Sequence, residues 1–165
     1  KGLGEIHSDF QNFNINDKEL MEPYMRILEE SNLPIVIHSS EPVGHIYPGK
    51  GSTTPEKLLK IIEYFPKNIF VLSHWGGGLF FYELMPEIAK SLKNVFYDCS
   101  ASPLLYDSRI YEIALKIIDS KKLLFGSDFP LIEPSRITKY IDNLEIDKKQ
   151  LDNIYWKNAK NILSV

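Results

Sequence analysis

Short apolar runs alternate with amphipathic stretches along the whole chain, in a regular strand-then-helix order. The intervening stretches place apolar residues every three or four positions, as amphipathic helices do. This alternation predicts an α/β fold in which five parallel strands are each followed by a helix. The runs that indicate buried strands are Gly2–Ile6, Pro34–His38, Ile69–His74, Val95–Ser100 and Leu123–Asp128.

Specific residues mark several helix boundaries. Asn16 with Glu19, and Asp147 with Gln150, have the spacing of a capping box at a helix start. Pro86 interrupts the helical segment 79–92, so we expect a kink there or a helix that starts just before it.

The number of βα units limits the architecture. A closed (β/α) barrel takes eight strands and about 250 residues, so five units form either part of such a barrel or an open sheet in its own right. The 165 residues contain no evident linker, and we expect one domain over residues 1–165. Because Lys1 directly precedes a strand, we expect the chain to be the remainder of something longer.

Composition and charge narrow the expected cellular location and the expected classes of binding partner. The net charge of −3 comes without clustered Lys and Arg, which argues against nucleic-acid or membrane partners and favours a small-molecule substrate. No apolar run approaches the ~20 residues of a membrane helix, and no signal peptide is visible. Cys99 is the only cysteine, as in proteins of a reducing compartment. We therefore expect a cytoplasmic protein with a buried structural thiol at Cys99.

Four polar residues fall at the carboxyl ends of predicted strands: Glu5, His38, His74 and Asp128. Each alone has an ordinary explanation, because a histidine can be a hydrogen-bonded structural residue and an aspartate a turn former. Together they would share one rim of a parallel sheet, where α/β barrels carry their chemistry. Imidazole and carboxylate groups are ligands for zinc, so the set predicts a metal site.

The sequence resembles the amidohydrolase superfamily, in particular the amidohydrolase-related (type 2) metal-dependent hydrolases. The resemblance implies a partial TIM (β/α) barrel that lacks the three N-terminal βα units. It is carried by Gly2–Glu5, Pro34–His38, Leu72–Gly77, Tyr97–Ala101, Phe125–Pro130 and Asn158–Leu163.

The resemblance also implies roles for the four rim residues. His38 corresponds to a metal ligand, and His74 to a second metal ligand or a catalytic group that polarises the substrate carbonyl. Asp128 corresponds to the aspartate that binds metal and takes a proton from the attacking water. Glu5 sits where TatD-like nucleases have a bridging glutamate, although a buried glutamate bonded to backbone amides is an alternative.

The family's His-x-His pair is missing from this sequence. His7 does not replace it, because His7 lies only one βα unit before His38. The expected cofactor is a divalent metal, zinc first and manganese as the alternative. His45, Tyr47 and Trp75 fall in rim loops and are candidate substrate contacts, with exposed or packing roles left open.

These inferences predict a metal-dependent hydrolase that uses metal-activated water on a C–N or C–O bond of an amide, a lactone or a related ester. One alternative is a non-oxidative decarboxylase of the same superfamily. Another is a catalytically silent fragment that self-associates or pairs with a missing N-terminal half, because two sheet edges would lack partners.

Overall fold

Five parallel strands form one open sheet in sequence order, from β1 to β5, in the computed structural model, which describes residues 1–164. This arrangement confirms the predicted partial barrel of the α/β class. Neighbouring strands pair in parallel throughout. The strands are β1 (Leu3–Ile6), β2 (Pro34–Ile37), β3 (Ile69–Leu72), β4 (Val95–Asp98) and β5 (Leu123–Leu124).

Helices and helical turns fill the connections between the strands. Residues His74–Leu84 form a left-handed turn over 74–78 that continues into 3₁₀ turns, and Asn153–Lys157 form a π-helical turn. Within residues 1–164, no helix is long and apolar enough to span a bilayer. The α-helices are α1 (Lys18–Glu30), α2 (Pro55–Tyr64), α3 (Pro86–Ser91), α4 (Ser102–Leu105), α5 (Ile110–Ile117), α6 (Pro134–Ile141), α7 (Lys148–Asp152) and α8 (Asn158–Leu163).

Helix starts follow the local capping chemistry. The capping box of Asp147 and Gln150 is present as predicted. Helix α1 begins at Lys18 rather than at Asn16, because the carboxylate of Asp17 accepts the Leu20 N–H at 3.1 Å and so takes the N-cap position. Helix α3 begins at Pro86, as the proline predicted.

One face of the sheet packs into the main core, and the other face is covered in part. Side chains alternate between the faces, so Ile35, Ile37, Phe70 and Leu72 pack into the main core with the helices. A smaller cluster of Val71, Leu124 and Ile162 covers part of the other face.

At the β5 edge of the sheet the strand has partners, which corrects the expectation that both edges lack them. On the β4 side of β5, the Leu124 carbonyl accepts from Cys99 N at 3.2 Å. Because alternate residues of a strand bond to opposite sides, the backbone groups of residues 123 and 125 point away from β4. Leu123 O accepts from Asn158 Nδ2 at 2.7 Å, and Phe125 N donates to Ile154 O at 2.9 Å. The C-terminal helices therefore complete the hydrogen bonding of β5.

Candidate metal centre

The predicted rim residues lie along the carboxyl edge of the sheet, where a cavity of about 500 Å³ opens. Glu5 lies within β1, whereas His38, His74 and Asp128 follow β2, β3 and β5. All four line this cavity. The remaining wall residues are His7, Phe10, His45, Tyr47, Pro48, Gly49, Ala101, Leu104, Leu105 and Leu131.

Glu5, His38 and His74 form a compact group, which we call the metal cluster. One potential ligand atom from each residue lies within 4.8 Å of those of the others. Glu5 Oε1 is 3.0 Å from His38 Nδ1 and 3.7 Å from His74 Nε2. One carboxylate and two imidazoles form a donor set that suits zinc and, with oxygen ligands added, manganese. The residues present therefore fit a divalent cation.

The end of β2 holds His38 in place through both backbone and ring. The His38 backbone N–H donates to Ile6 O at 2.9 Å, which continues the pairing with β1. Its Nε2 lies 3.3 Å from Ser40 Oγ, and its Nδ1 faces Glu5. The ring is almost entirely buried, so its orientation is set by these contacts.

His74 is presented by an unusual left-handed turn. His74 and Trp75 have φ values of 56° and 61°, and the three glycines that follow also have positive φ. Glycine is required at position 77, where a Cβ would collide with the backbone carbonyl of Ser40 on the neighbouring loop. Non-glycine residues in this conformation are costly and concentrate at functional sites.

Trp75 anchors that turn from inside the protein. Its side chain is fully buried, and the indole N–H donates to Ser102 Oγ at 2.7 Å. The expectation that Trp75 contacts substrate is therefore corrected, because the indole packs in the core beneath the loop rather than on the cavity wall.

Asp128 lies on the cavity wall but outside the metal cluster. It also adopts a left-handed conformation, with φ 70°. Burial raises the pKa of Asp128, and the negative charges of Glu5 and Asp98 add to this, while His74 and His38 oppose it. A carboxyl group with a raised pKa is suited to exchanging protons.

Glu5 shows the opposite shift. Burial acts to raise its pKa, but the hydrogen bond with His38 and the electrostatic influence of His74 and His38 outweigh burial, so the net pKa is lowered. The lowered pKa keeps Glu5 ionised at neutral pH, as a metal ligand needs to be.

The other two predicted substrate contacts do face the cavity. His45 and Tyr47 lie close together, with ring centroids 5.4 Å apart. The Tyr47 hydroxyl donates to Glu41 Oε2 at 3.3 Å. Partial burial and the negative charge of Glu41 raise the pKa of Tyr47 to about 12, so Tyr47 is a neutral hydrogen-bonding group at physiological pH.

His7 is a cavity residue that sequence reasoning set aside. Its ring stacks on His38 with centroids 4.0 Å apart, and its Nε2 lies 3.1 Å from Gly49 O. Alternation along an extended strand places residues 5 and 7 on the same side. That spacing was the signal that could have placed His7 beside Glu5.

Comparisons with known proteins give one family and several solved structures. The family model described as amidohydrolase matches residues 1–165. A comparison with curated proteins finds no match.

Several solved structures share the fold. A 5-carboxyvanillate decarboxylase from Novosphingobium aromaticivorans, complexed with manganese, superposes with TM-score 0.70 at 16% identity over 97% of this chain and 55% of its own. A dihydroxybenzoic acid decarboxylase from Polaromonas, also with bound manganese, gives TM-score 0.66 at 18% identity over 85% and 52%. A 2,6-dihydroxybenzoate decarboxylase from Rhizobium gives 0.64 at 17% over 85% and 54%. The chain thus spans about half the length of these structures.

Proposed function

Because this chain belongs to the amidohydrolase family, we propose that its cavity is the site of a metal-dependent hydrolysis of a C–N or C–O bond. The observation that supports the proposal is the metal cluster, in which Glu5, His38 and His74 bring one ligand atom each within 4.8 Å. A divalent cation held there supplies Lewis acidity and makes water a nucleophile near neutral pH. Zinc and manganese both suit the donor set.

In this proposal Asp128 handles the proton of the reaction. Its carboxyl group shares the cavity with the metal cluster, and its raised pKa lets it take a proton from water and return it to the leaving group. His74, which faces Glu5 through Nε2, is the member of the cluster placed to bind either the cation or the substrate carbonyl.

The remaining wall residues divide into polar and apolar contacts for the substrate. His45 and Tyr47 offer hydrogen bonds from the loop after β2. Phe10, Leu104 and Leu131 supply an apolar surface although each is exposed by half or more. An apolar small molecule with one hydrolysable polar bond fits this division.

A decarboxylase is the second candidate. It is favoured by the solved structures with the same fold, which include decarboxylases with bound manganese. In such a reaction the cluster would hold the substrate, and Asp128 or His74 would deliver a proton to the carbon that loses CO₂.

Isotope labelling distinguishes the two reactions. The protein, loaded with Zn²⁺ or Mn²⁺, is incubated with lactones, amides and hydroxylated benzoates in H₂¹⁸O or in D₂O. Hydrolysis places one ¹⁸O from solvent in the product carboxylate, whereas decarboxylation places deuterium on the carbon that lost CO₂.

The variant Asp128→Asn should abolish either reaction, and the exposed Glu112→Gln should not. Deuterium in the product without ¹⁸O would reject the hydrolase proposal and support the decarboxylase. Metal binding without turnover of any compound would favour the third possibility, a chain that is silent until it associates with a second copy or an N-terminal partner.

A further inference from the structure

His74 makes a second set of contacts on the side of its ring that faces away from the cavity. Its ring is buried, and its Nδ1 lies 2.9 Å from Ser100 Oγ and 3.4 Å from the Ser100 carbonyl oxygen. A carbonyl oxygen only accepts hydrogen bonds, so Nδ1 is the ring nitrogen that carries the proton.

The Ser100 hydroxyl supports the same assignment independently. It has one proton, and it donates that proton to Asp98 Oδ1 in a short hydrogen bond. Because that proton goes to Asp98, the hydroxyl oxygen has its lone pairs left for the proton on His74 Nδ1. Asp98, Ser100 and His74 thus form a chain of hydrogen bonds with a single direction.

Asp98 also fixes the backbone on which the ring stands. Its Oδ1 accepts the backbone N–H of Ser100 at 2.9 Å and that of His74 at 3.1 Å. One carboxylate oxygen at the end of β4 therefore joins the loops that follow β3 and β4. Ring orientation and ring protonation are set by the same group.

We propose that Asp98 and Ser100 are positioning residues that hold His74 in the Nδ1–H tautomer, so that Nε2 presents its lone pair to the metal cluster. Nε2 then faces Glu5 Oε1 at 3.7 Å with no proton between two electron-rich atoms. Glu5 and His74 would both be free to hold a divalent cation. This proposal rests on the proposed function, because presenting Nε2 has a purpose only if the cluster binds a metal. The tautomer itself is a property of the metal-free chain.

The test is nuclear magnetic resonance of the chain with ¹⁵N-labelled histidine, in metal-free buffer at pH 8. Two-bond ¹H–¹⁵N correlations distinguish the two neutral tautomers and the doubly protonated ring, and loss of signals in His74→Gln assigns the resonances. The wild type should show His74 with its proton on Nδ1 alone. A proton on Nε2, in either the neutral or the charged ring, would overturn the proposal.

Variants separate positioning from a merely structural role. Ser100→Ala should move the tautomer population towards Nε2–H and weaken Mn²⁺ or Zn²⁺ binding by roughly 10- to 100-fold, the usual effect of losing a group that orients a ligand. Ser100→Thr keeps the hydroxyl and should restore both readouts. Ser120→Ala removes another buried serine and should change neither.

The outcomes distinguish the two proposals. An unchanged tautomer in a folded Ser100→Ala, or in Asp98→Asn should Ser100→Ala not fold, would contradict the positioning role. A wild type with the Nδ1–H tautomer that binds neither metal would leave the positioning role standing and would reject the metal site.

Discussion

Two clusters of titratable side chains in this fold differ in how completely their hydrogen bonds are made. In the first, which we call the ion-pair cluster, Lys122 Nζ lies 2.6 Å from both carboxylate oxygens of Glu83 and 2.9 Å from Leu92 O. The Tyr97 hydroxyl donates to Glu83 at 2.8 Å. All three donors of the lysine are used, so the cluster has no capacity left for a ligand.

The metal cluster is different because its hydrogen bonding is incomplete. Glu5 accepts from His38, but His74 Nε2 faces the same carboxylate oxygen at a distance too long for a hydrogen bond. The ion-pair cluster lies among structural elements, whereas the metal cluster opens into a cavity. Incomplete satisfaction beside a cavity is therefore what indicates a ligand site here, more than the presence of charge.

The largest effect should come from breaking the ion-pair cluster. Lys122→Met leaves the Glu83 carboxylate buried without its cation, and loss of one partner of a buried pair costs about 3–5 kcal/mol. Urea denaturation should show this loss in the free energy of unfolding. The exposed neighbour Lys121→Met should change stability by no more than about 0.5 kcal/mol. Equal stability of the two variants would contradict the structural role.

The metal cluster should respond in binding rather than in stability. Each ligand of a bound zinc accounts for about 3 kcal/mol, so His38→Gln should weaken Zn²⁺ or Mn²⁺ binding by about 100-fold. Isothermal titration calorimetry measures this difference. His45→Gln, on the cavity wall outside the metal cluster, should bind the metal as the wild type does. If both variants lost affinity equally, the three-residue cluster would be the wrong set of ligands.

Asn158 extends the comparison to a third polar group, whose side-chain N–H donors are both used. Its side chain is buried, and Nδ2 donates to Ser120 O at 2.8 Å and Leu123 O at 2.7 Å. Asn158→Ala leaves both carbonyls without that donor, at a cost of about 1–3 kcal/mol in the free energy of unfolding. The exposed Asn161→Ala is the matched control, and a similar small loss in both would show that the edge of β5 does not depend on Asn158.

The smallest effect concerns Cys99, which is fully buried as predicted. Burial raises the pKa of the thiol from 9.0 to about 12, and the negative charge of Asp98 adds to this. The unfolded chain therefore loses the thiol proton first as pH rises, so the stability contribution is complete below pH 9 and declines between pH 9 and 12.

Between pH 7 and pH 10, the wild type should lose about 1.4 kcal/mol more stability than Cys99→Ala does. Denaturation curves at the two pH values measure the difference, and the tyrosines common to both proteins cancel. Parallel losses in the two proteins would show that the thiol ionises equally in the folded and unfolded states.

The sequence predicted those features of the structure that depend on residues close together along the chain. Strand and helix periodicity predicted all five strands, and the Asp147 capping box is present. The left-handed turn after β3 was not predicted, because tertiary contacts of Trp75 with Ser102 and of Gly77 with the Ser40 carbonyl stabilise it.

Long-range contacts also explain what the strand-end pattern missed at the site. Glu5, His38 and His74 come together as the shared rim implied, but Asp128 lies outside the 4.8 Å group. The stacking of His7 on His38 depends on how β1 lies against β2. The closed edge of β5 depends on Asn158, 35 residues further along the chain.

X-ray diffraction from crystals grown with Mn²⁺, measured at the manganese absorption edge, tests the central claim most directly. We predict an anomalous difference peak within about 2.0–2.3 Å of one atom each from Glu5, His38 and His74, in the range of metal–ligand bonds. A cation bound elsewhere, or no peak between these three side chains at saturating Mn²⁺, would contradict the metal site and the proposed function with it.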